Sequence, residues 1–392
     1  MRFVDGSVDR NLRIAMLFPW DSGDKSAVSG TGYGLAGGLE ALGVEVVRIQ
    51  GRPPPQLLGM LGRGTGARWR LTDGDCEDTW RWGIESTMAR NAYANLGLLC
   101  DRPVNGIVQL ASDFLVHRPN APLVTYDDMT IRQAVDVGYR QWRLARRDLR
   151  WRIERQGAAY RMAAACCTRS AWTARSIPSD YGIEAVKAKV VGVGRNRDVD
   201  PQPERSWDTP TFLLVASDWE RKNGQRVLTA FAAIHERHPD ARLHVVGHHP
   251  RIEAPGVEAQ GHLGLSDEGE KARLNALFAE ATCFVMPSLH EPLGITYAEA
   301  GAAGVPSIGT LRGGAREIIG PGGMVVDPLD GGQLIDAMEW FCDPEHAQAV
   351  GAQAVAHAQL YTWPRVAKRI LNALGQLSPE EDPEAAFLAG PN

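Results

Sequence analysis

Long apolar runs, a secretion signal and an excess of basic residues are all missing from this sequence. The formal net charge is -5, so the charge balance does not favour bulk binding to nucleic acid or to an anionic membrane. No window of about 20 residues is apolar enough to span a bilayer. The amino-terminal stretch also lacks the apolar core of a signal peptide. We therefore expect a soluble, cytoplasmic protein.

Cysteine is scarce, and its spacing does not indicate a metal site. The chain has six cysteines and no CxxC motif. The cysteines are Cys76, Cys100, Cys166, Cys167, Cys283 and Cys342. We interpret them as thiols in a reducing compartment. The spacing of the histidines fits no strong metal site either, so we assign no metal.

What the sequence does contain is the alternation of strands and helices that is typical of parallel α/β folds. At roughly 100–200 residues per domain, 392 residues predict two or three domains. "RIAMLFPW", a glycine-rich loop, "YGLAGGLEALG" and "VEVVRI" predict strand, loop, helix and strand. A second such unit begins at "TFLLVAS" after a polar segment at about 196–210. We predict domains over 1–200 and 205–360, with a mobile tail over 377–392.

The stretch "SLHEPLGITYAEAGAAGVPSIG" places two glutamates, Glu291 and Glu299, around a predicted helix start near Gly294–Ile295. It follows the predicted strand "TCFVMPS", so it should lie beyond the carboxyl edge of a parallel sheet. The free amides of a helix start suit a phosphate, and carboxylates on either side suit hydroxyls. Together these features describe a sugar nucleotide site. A solvated turn glutamate and a polar-face helix glutamate remain the alternative.

The same stretch resembles the donor-site signature of retaining GT-B glycosyltransferases, the family that includes sucrose and glycogen synthases. The signature there is P-S-x-x-E-P-x-G-x-x-x-x-E-A-x-A-x-G-x-P. The matching residues are Pro287, Ser288, Glu291, Pro292, Gly294, Glu299, Ala300, Gly304 and Pro306. The resemblance implies that Glu291 contacts the donor sugar and that Glu299 binds the ribose. It also implies that the backbone of Gly294, Ile295 and Thr296 meets the diphosphate.

A second resemblance lies at "VASDWERKNG", just after the first strand of the second domain. It is similar to the D-W-x-R-K-G-G segment of a subgroup of the family. In the family, cations at this place clamp the diphosphate, which implies that role for Arg221 and Lys222. Either Arg221 or Lys222 alone could act as the clamp, since the more usual G-R-x-x-x-K-G arrangement is absent. A solvated Arg-Lys pair in a turn is the alternative.

The first half of the chain resembles the family less closely. "SGTGYG" is similar to the glycine-rich loop that approaches the donor phosphates, which assigns Gly30 and Gly32 to donor binding. "PLVTYDDMT" is similar to the segment where the family commonly has a histidine, and Asp128 occupies that position here. Asp128 would bind a hydroxyl or help accept its proton. A carboxylate that caps the next helix is the alternative.

The fold class implied is α/β of the GT-B type, with two Rossmann-like doubly wound domains facing across a cleft. A final helix at about 361–376 would cross back to the first domain. The arginine-rich helix over 143–155 is interpreted either as a solvated helix or as a surface for peripheral membrane contact.

The resemblance implies a retaining, metal-independent hexosyltransferase without a cofactor. It would move a sugar from a UDP-, GDP- or ADP-sugar to an acceptor hydroxyl. Two alternatives stay open: a pseudo-glycosyltransferase that couples a nucleotide-linked cyclitol to an amine, and an inactive homologue that binds a nucleotide. The sequence does not distinguish the bases, sugars, acceptors or oligomeric states.

Overall fold

The computed structural model describes residues 12–19, 30–51, 84–112, 115–117, 119–139, 142–197, 205–264 and 267–377. By its internal contacts the chain divides into two units. The first is Met1–Val193 together with Trp363–Asn392, and the second is Gly194–Thr362. Residues 198–204 of the predicted linker lie outside the described residues. So do residues 378–392 of the predicted tail.

The first unit contains a six-stranded parallel sheet in the order β2-β1-β3-β4-β5-β6. Its strands are β1 Arg13–Phe18, β2 Glu45–Gln50, β3 Gly106–Leu110, β4 Leu123–Asp127, β5 Ala165–Thr168 and β6 Ala188–Val190. Strands β3, β4 and β5 are buried along their whole length. This explains why their sequences are mostly apolar and do not alternate between apolar and polar residues.

Six helices of the first unit lie within the described residues. They are α1 Thr31–Ala41, α2 Ile84–Cys100, α3 Ile131–Asp136, α4 Arg146–Met162, α5 Ala171–Tyr181 and α12 Trp363–Ala373. The last of these confirms that the final helix belongs to the first unit. Helix α12 packs on α1 at Gly34 and Gly38, where an added Cβ would lie 2.1 Å from Trp363 Nε1 and 2.5 Å from the Trp363 carbonyl oxygen.

The arginine-rich helix α4 is only partly solvated. Arg143, Arg146, Arg147 and Arg150 are exposed. Arg152 is buried instead, and its Nη1 donates to Thr87 Oγ1 of α2 at 2.6 Å. The interpretation of this segment as a solvated helix therefore fits its exposed arginines and does not extend to Arg152, whose long side chain reaches a polar partner inside the unit.

The second unit contains another six-stranded parallel sheet, in the order β12-β11-β10-β7-β8-β9. Its strands are β7 Thr211–Ala216, β8 Arg242–Gly247, β9 Val257–Gly261, β10 Cys283–Val285, β11 Ser307–Thr310 and β12 Gly323–Val326. Counted within the unit, this order is that of the Rossmann fold, 3-2-1-4-5-6. The two parallel sheets with their helices confirm the predicted α/β class.

The helices of the second unit are α6 Gly224–Arg237, α7 Glu268–Glu280, α8 Ile295–Ala302, α9 Ala315–Ile319, α10 Gly331–Trp340 and α11 Pro344–Ala358. Helix α8 begins at Ile295 after Gly294, as the sequence predicts, and Glu299 lies in its second turn. The helix is short and buried from Tyr297 to Ala302. Its packing therefore fixes where its first turn points.

Candidate active site

The candidate site lies at the carboxyl ends of β7 and β10. These strands are hydrogen-bonded neighbours, although β8 and β9 come between them in the sequence. The winding of the sheet therefore reverses between β7 and β10. Ligands of open α/β sheets bind beyond the carboxyl ends of the strands at such a switch point. The segment 217–223 after β7 and the segment 286–294 after β10 are thus brought side by side.

Two cations and one carboxylate converge between these segments. Lys222 Nζ lies 2.5 Å from Glu291 Oε2, and Arg221 Nη1 lies 3.2 Å from the same oxygen. Ser288 Oγ donates to it as well, at 3.3 Å. Lys222 and Glu291 are buried. Asp218 lies 3.4 Å from Arg221 Nε, but its side chain is 54% exposed and its charge is screened by solvent.

The charges of this cluster perturb one another. Burial alone would raise the pKa of Glu291, but Lys222 and Arg221 outweigh burial and lower it. Burial lowers the pKa of Lys222, an effect that Glu291 opposes and Arg221 reinforces. The balance differs because Glu291 faces two cations, whereas Lys222 is repelled by Arg221 and attracted by Glu291 and, more weakly, by Asp218. Lys222 and Glu291 neutralise each other, so the positive charge available to an anionic ligand comes from the part-buried Arg221.

A glycine pair downstream fixes the backbone of Glu291. The Glu291 amide donates to the Arg312 carbonyl at 2.9 Å, and the Gly314 amide donates to the Glu291 carbonyl at 3.0 Å. Gly313 has a φ of 110°, and an added Cβ there would lie 1.9 Å from the Glu291 carbonyl oxygen. Only glycine allows both this conformation and this close approach, so Gly313 sets the place from which the Glu291 side chain projects.

The first turn of α8 follows Glu291 directly. Gly294 caps the helix in the left-handed region, with a φ of 86°. An added Cβ at Gly294 would lie 2.6 Å from the Tyr297 ring, and the Tyr297 hydroxyl is anchored to the Met286 carbonyl at 2.6 Å. The first amides of a helix have no partner within it. Ile295 and Thr296 therefore form a helix start suited to an anion, beside Lys222 and Arg221.

Glu299, on the same helix, has a partner that the sequence did not indicate. Arg197 Nη2 lies 2.8 Å from Glu299 Oε2, and both side chains are almost fully buried, at 2% and 6% exposure. The Arg197 guanidinium also stacks over the Phe278 ring, with its central carbon 4.4 Å from the ring centroid. The pair holds the Glu299 carboxylate in one orientation.

The first unit holds the remaining predicted residues. Gly30 caps α1 in the left-handed region, with a φ of 73°. Gly32 lies in the first turn, where an added Cβ would be 2.6 Å from Phe18 Cε1 of β1. Both glycines are therefore required by the backbone turn or by the packing of α1 on its own sheet.

Asp128 directly follows β4 and is part-buried. Its Oδ1 accepts a hydrogen bond from the Met129 amide at 2.9 Å, and Arg169 Nη1 lies 4.0 Å from its Oδ2. The cap of α3 is Thr130, so Asp128 does not serve as the helix cap. The neighbouring Asp127 is the buried carboxylate, and it accepts hydrogen bonds from the amide and the hydroxyl of Ser112 at 2.8 and 2.9 Å.

Comparison with known proteins finds a family similar to the segment that carries this site. Residues 209–343 match the family described as glycosyl transferases group 1, a stretch that contains Arg221, Lys222, Glu291 and Glu299. The D-inositol 3-phosphate glycosyltransferase of Corynebacterium urealyticum is 29% identical over 242 residues, which cover 54% of this chain and 57% of the relative. A GDP-mannose-dependent alpha-(1-6)-phosphatidylinositol monomannoside mannosyltransferase of Mycolicibacterium smegmatis is 31% identical over 171 residues, or 40% of this chain and 44% of the relative.

Structural comparison covers both units. The sucrose-phosphate synthase structure from Thermosynechococcus elongatus aligns with 93% of this chain and 99% of that protein, with a TM-score of 0.64 and 18% identity. The chain therefore has the GT-B fold, and its match to the group 1 glycosyltransferase family is confined to residues 209–343. Its sequence match spans only about half the length of the curated relatives.

Of the predicted site residues, the structure brings together Arg221, Lys222, Glu291 and the start of α8 in the second unit. Sequence reasoning missed two supporting residues, Arg197 and Asn223. Ser288 belongs to the matched signature, but its hydrogen bond to Glu291 was not predicted. Asn223 had a usable signal, because asparagine adopts the left-handed conformation more readily than most residues. Arg197 had none, since it lies in a polar stretch and is 102 residues from its partner.

Within the residues that the structure describes, no group of three or more His, Cys, Asp or Glu side chains could hold a metal ion. Over the same parts of the chain, none of the helices has both the length and the apolar character needed to cross a membrane.

Proposed function

We propose that this chain transfers a hexosyl group from a nucleotide-diphosphate sugar to an acceptor hydroxyl, with retention of anomeric configuration. One observation carries the proposal: Lys222 and Arg221 converge with Glu291 at the switch point of the sheet, within 2.5 and 3.2 Å of one carboxylate oxygen. Two clustered cations beside a helix start suit a diphosphate. A carboxylate among them suits the hydroxyls of the attached sugar.

In this proposal the diphosphate binds Lys222, Arg221 and the first amides of α8. The bond between the anomeric carbon and the diphosphate oxygen breaks, and a bond from that carbon to the acceptor oxygen forms. The acceptor proton passes to the departing diphosphate on the same face of the sugar. The two cations stabilise the negative charge that grows on the leaving group, which is electrostatic stabilisation of the transition state.

Glu291 orients the donor sugar. In the absence of a ligand its carboxylate is the counter-ion of Lys222 and Arg221, so the cations are held in place before the diphosphate arrives. Such prior ordering matters because preorganised charges need no rearrangement during the reaction. Glu299, fixed by Arg197, binds the ribose hydroxyls of the nucleotide.

The names of the relatives suggest which acceptors to test. They include glycosyltransferases acting on inositol 3-phosphate and on phosphatidylinositol monomannoside, along with sucrose synthases. We therefore propose a sugar or polyol hydroxyl as the acceptor, and Asp128 of the first unit as a residue that contacts it.

A two-stage experiment tests the proposed function. Thermal shift with UDP, GDP and ADP and with their sugars should identify one nucleotide that raises the melting temperature, because a ligand of the folded state stabilises it. Turnover of that sugar nucleotide is then measured against inositol phosphates, phosphatidylinositol mannosides and fructose phosphates, and the anomeric configuration of the product is read by NMR. A rise in melting temperature without turnover on any acceptor would contradict the proposed transferase activity and would favour an inactive homologue that only binds a nucleotide. An inverted product would contradict retention.

A further inference from the structure

Asn223 has an unusual backbone conformation. Its φ and ψ are 62° and 35°, and it is the cap of α6. Of the described non-glycine residues, only Ala111 and Asn223 have a positive φ. Asparagine tolerates the left-handed region better than most residues, but glycine does so at no cost. We therefore expect the Asn223 side chain to have a structural role that glycine could not fill.

The side chain of Asn223 joins three strand ends. Its Nδ2 donates to the Pro287 carbonyl at 3.1 Å and to the Pro328 carbonyl at 2.8 Å. Pro287 follows β10 and Pro328 follows β12, while Asn223 itself follows β7. One amide group thus connects segments that are 64 and 105 residues apart in the sequence.

The segment fixed in this way carries both cations of the candidate site. Lys222 and Arg221 directly precede Asn223, and the Leu289 amide donates to the Arg221 carbonyl at 2.8 Å. Together with the bond from Asn223 to Pro287, this holds the cation-bearing segment against the segment that leads to Glu291. The positions of Lys222 and Glu291 relative to each other therefore depend on the Asn223 amide.

We infer that Asn223 is a positioning residue, which rests on the proposed function: its amide holds Lys222 and Arg221 where a leaving diphosphate needs them. Glycine at this position would keep the left-handed turn and lose the two hydrogen bonds from Asn223 Nδ2 to the Pro287 and Pro328 carbonyls, which we call the Asn223 clamp. Aspartate would keep the shape, lose both donors and place carboxylate oxygens against two carbonyl oxygens. The two substitutions separate the backbone requirement from the hydrogen bonds.

The kinetic test is a double-mutant cycle with Lys222. N223G should lower kcat by roughly 10- to 100-fold, since a displacement of about 1 Å can cost that much, while KM changes less than about threefold. N223D should lower kcat at least as far. Q225A, which alters an exposed side chain two positions away, is the control and should leave kcat unchanged.

In the Lys222→Ala background, N223G should lower kcat by a clearly smaller factor than in the wild type, because the part of its effect that acts through Lys222 is already lost and such effects are not additive. A merely structural asparagine would lower kcat by the same factor in both backgrounds, and that result would overturn the inference. Retention of wild-type kcat by N223G would overturn it as well.

A second measurement does not depend on activity. Hydrogen exchange should be faster in N223G than in the wild type at the Leu289 amide, and unchanged at the amides of β8. Equal exchange at Leu289 would refute the clamp even in an active enzyme. Faster exchange in a protein that turns over no sugar nucleotide would leave the clamp in place and contradict the proposed function alone.

Discussion

Arg197 donates from Nη2 to Glu299 Oε2 across 2.8 Å, and neither side chain is more than 6% exposed. The two residues come from different parts of the second unit, since Arg197 precedes β7 and Glu299 lies in α8. A carboxylate buried at this depth would be costly without a partner. Glu299 therefore depends on Arg197 for its charge partner and for its orientation.

Removing Arg197 alone should destabilise the protein strongly. Arg197→Met leaves the Glu299 carboxylate buried without its counter-ion, and we expect a loss of about 3–5 kcal/mol in the free energy of unfolding. The double variant Arg197→Met with Glu299→Leu should recover most of that loss, because replacing both ions with apolar side chains is often neutral. Urea unfolding measures both quantities.

The same pair of variants also separates stability from ligand binding. If Glu299 binds ribose, the double variant should fold well and still show a much smaller thermal shift with the nucleotide that stabilises the wild type. A double variant that keeps the full shift would show that Glu299 has only a structural role.

Lys222 should be essential for turnover. Lys222→Ala removes a preorganised cation from the leaving group, and we expect turnover to fall at least roughly 100-fold. Lys271→Ala, on an α7 side chain that is 39% exposed, is the matched control and should stay within about twofold of the wild type. A decrease of only a few-fold in Lys222→Ala would remove Lys222 from the mechanism.

Glu291 should make the free energy of unfolding depend on pH in the acid range. Its folded-state pKa is lowered from an unfolded value of about 4.3. Its contribution to stability is therefore complete above pH ~4.3 and is lost as the pH falls through the folded-state pKa. The difference in unfolding free energy between the wild type and Glu291→Gln should be large at neutral pH and should shrink at the acid end.

Urea unfolding at several pH values checks this expectation. Glu268→Gln is the control, because that side chain is 85% exposed and should change stability little at any pH. If the difference in unfolding free energy between the wild type and Glu291→Gln grew as the pH falls, its sign would be wrong. That result would contradict a Glu291 carboxylate stabilised by Lys222 and Arg221.

Much of the candidate site could be predicted from local sequence. The helix start at Gly294–Ile295 follows from a glycine between a buried strand and an apolar run, and the structure confirms it. The cations Arg221 and Lys222 follow the first strand of the second unit, as predicted. These features depend on neighbouring residues only, so local patterns suffice to find them.

Other features depend on residues that are far apart. Helix α2 was not predicted, because asparagines interrupt its apolar face. Asn91 Oδ1 accepts from the Leu115 amide at 2.8 Å and Asn95 Oδ1 accepts from the His117 amide at 2.7 Å, so polar side chains face inward to bind a loop. The Arg197–Glu299 pair and the Asn223 hydrogen bonds were not predicted for the same reason. Their partners are distant in the sequence and come together only in the tertiary fold.

Removal of divalent metal should leave turnover intact. In the proposed reaction, Lys222, Arg221 and the start of α8 supply positive charge to the diphosphate, a role that a metal ion has in other phosphate sites. We expect turnover in EDTA to remain within about twofold of the untreated rate. Loss of activity in EDTA, with recovery on adding Mg²⁺ or Mn²⁺, would contradict a metal-independent mechanism.

Gly294 should be intolerant of any side chain. Gly294→Ala places a methyl group at a φ of 86° and within 2.6 Å of the Tyr297 ring, so the first turn of α8 must shift. The amides of Ile295 and Thr296 would move with it, and we expect nucleoside diphosphate affinity to fall by at least roughly tenfold. Isothermal titration calorimetry measures this affinity directly.

A second glycine in a helix provides the matched control for Gly294→Ala. Gly37 of α1 has nothing within 4 Å of an added Cβ, so Gly37→Ala should raise the unfolding free energy by about 0.5–1 kcal/mol and leave nucleotide affinity unchanged. If Gly294→Ala binds the nucleoside diphosphate as tightly as Gly37→Ala does, the start of α8 does not contact the phosphates. The diphosphate would then have to be held by Arg221 and Lys222 alone.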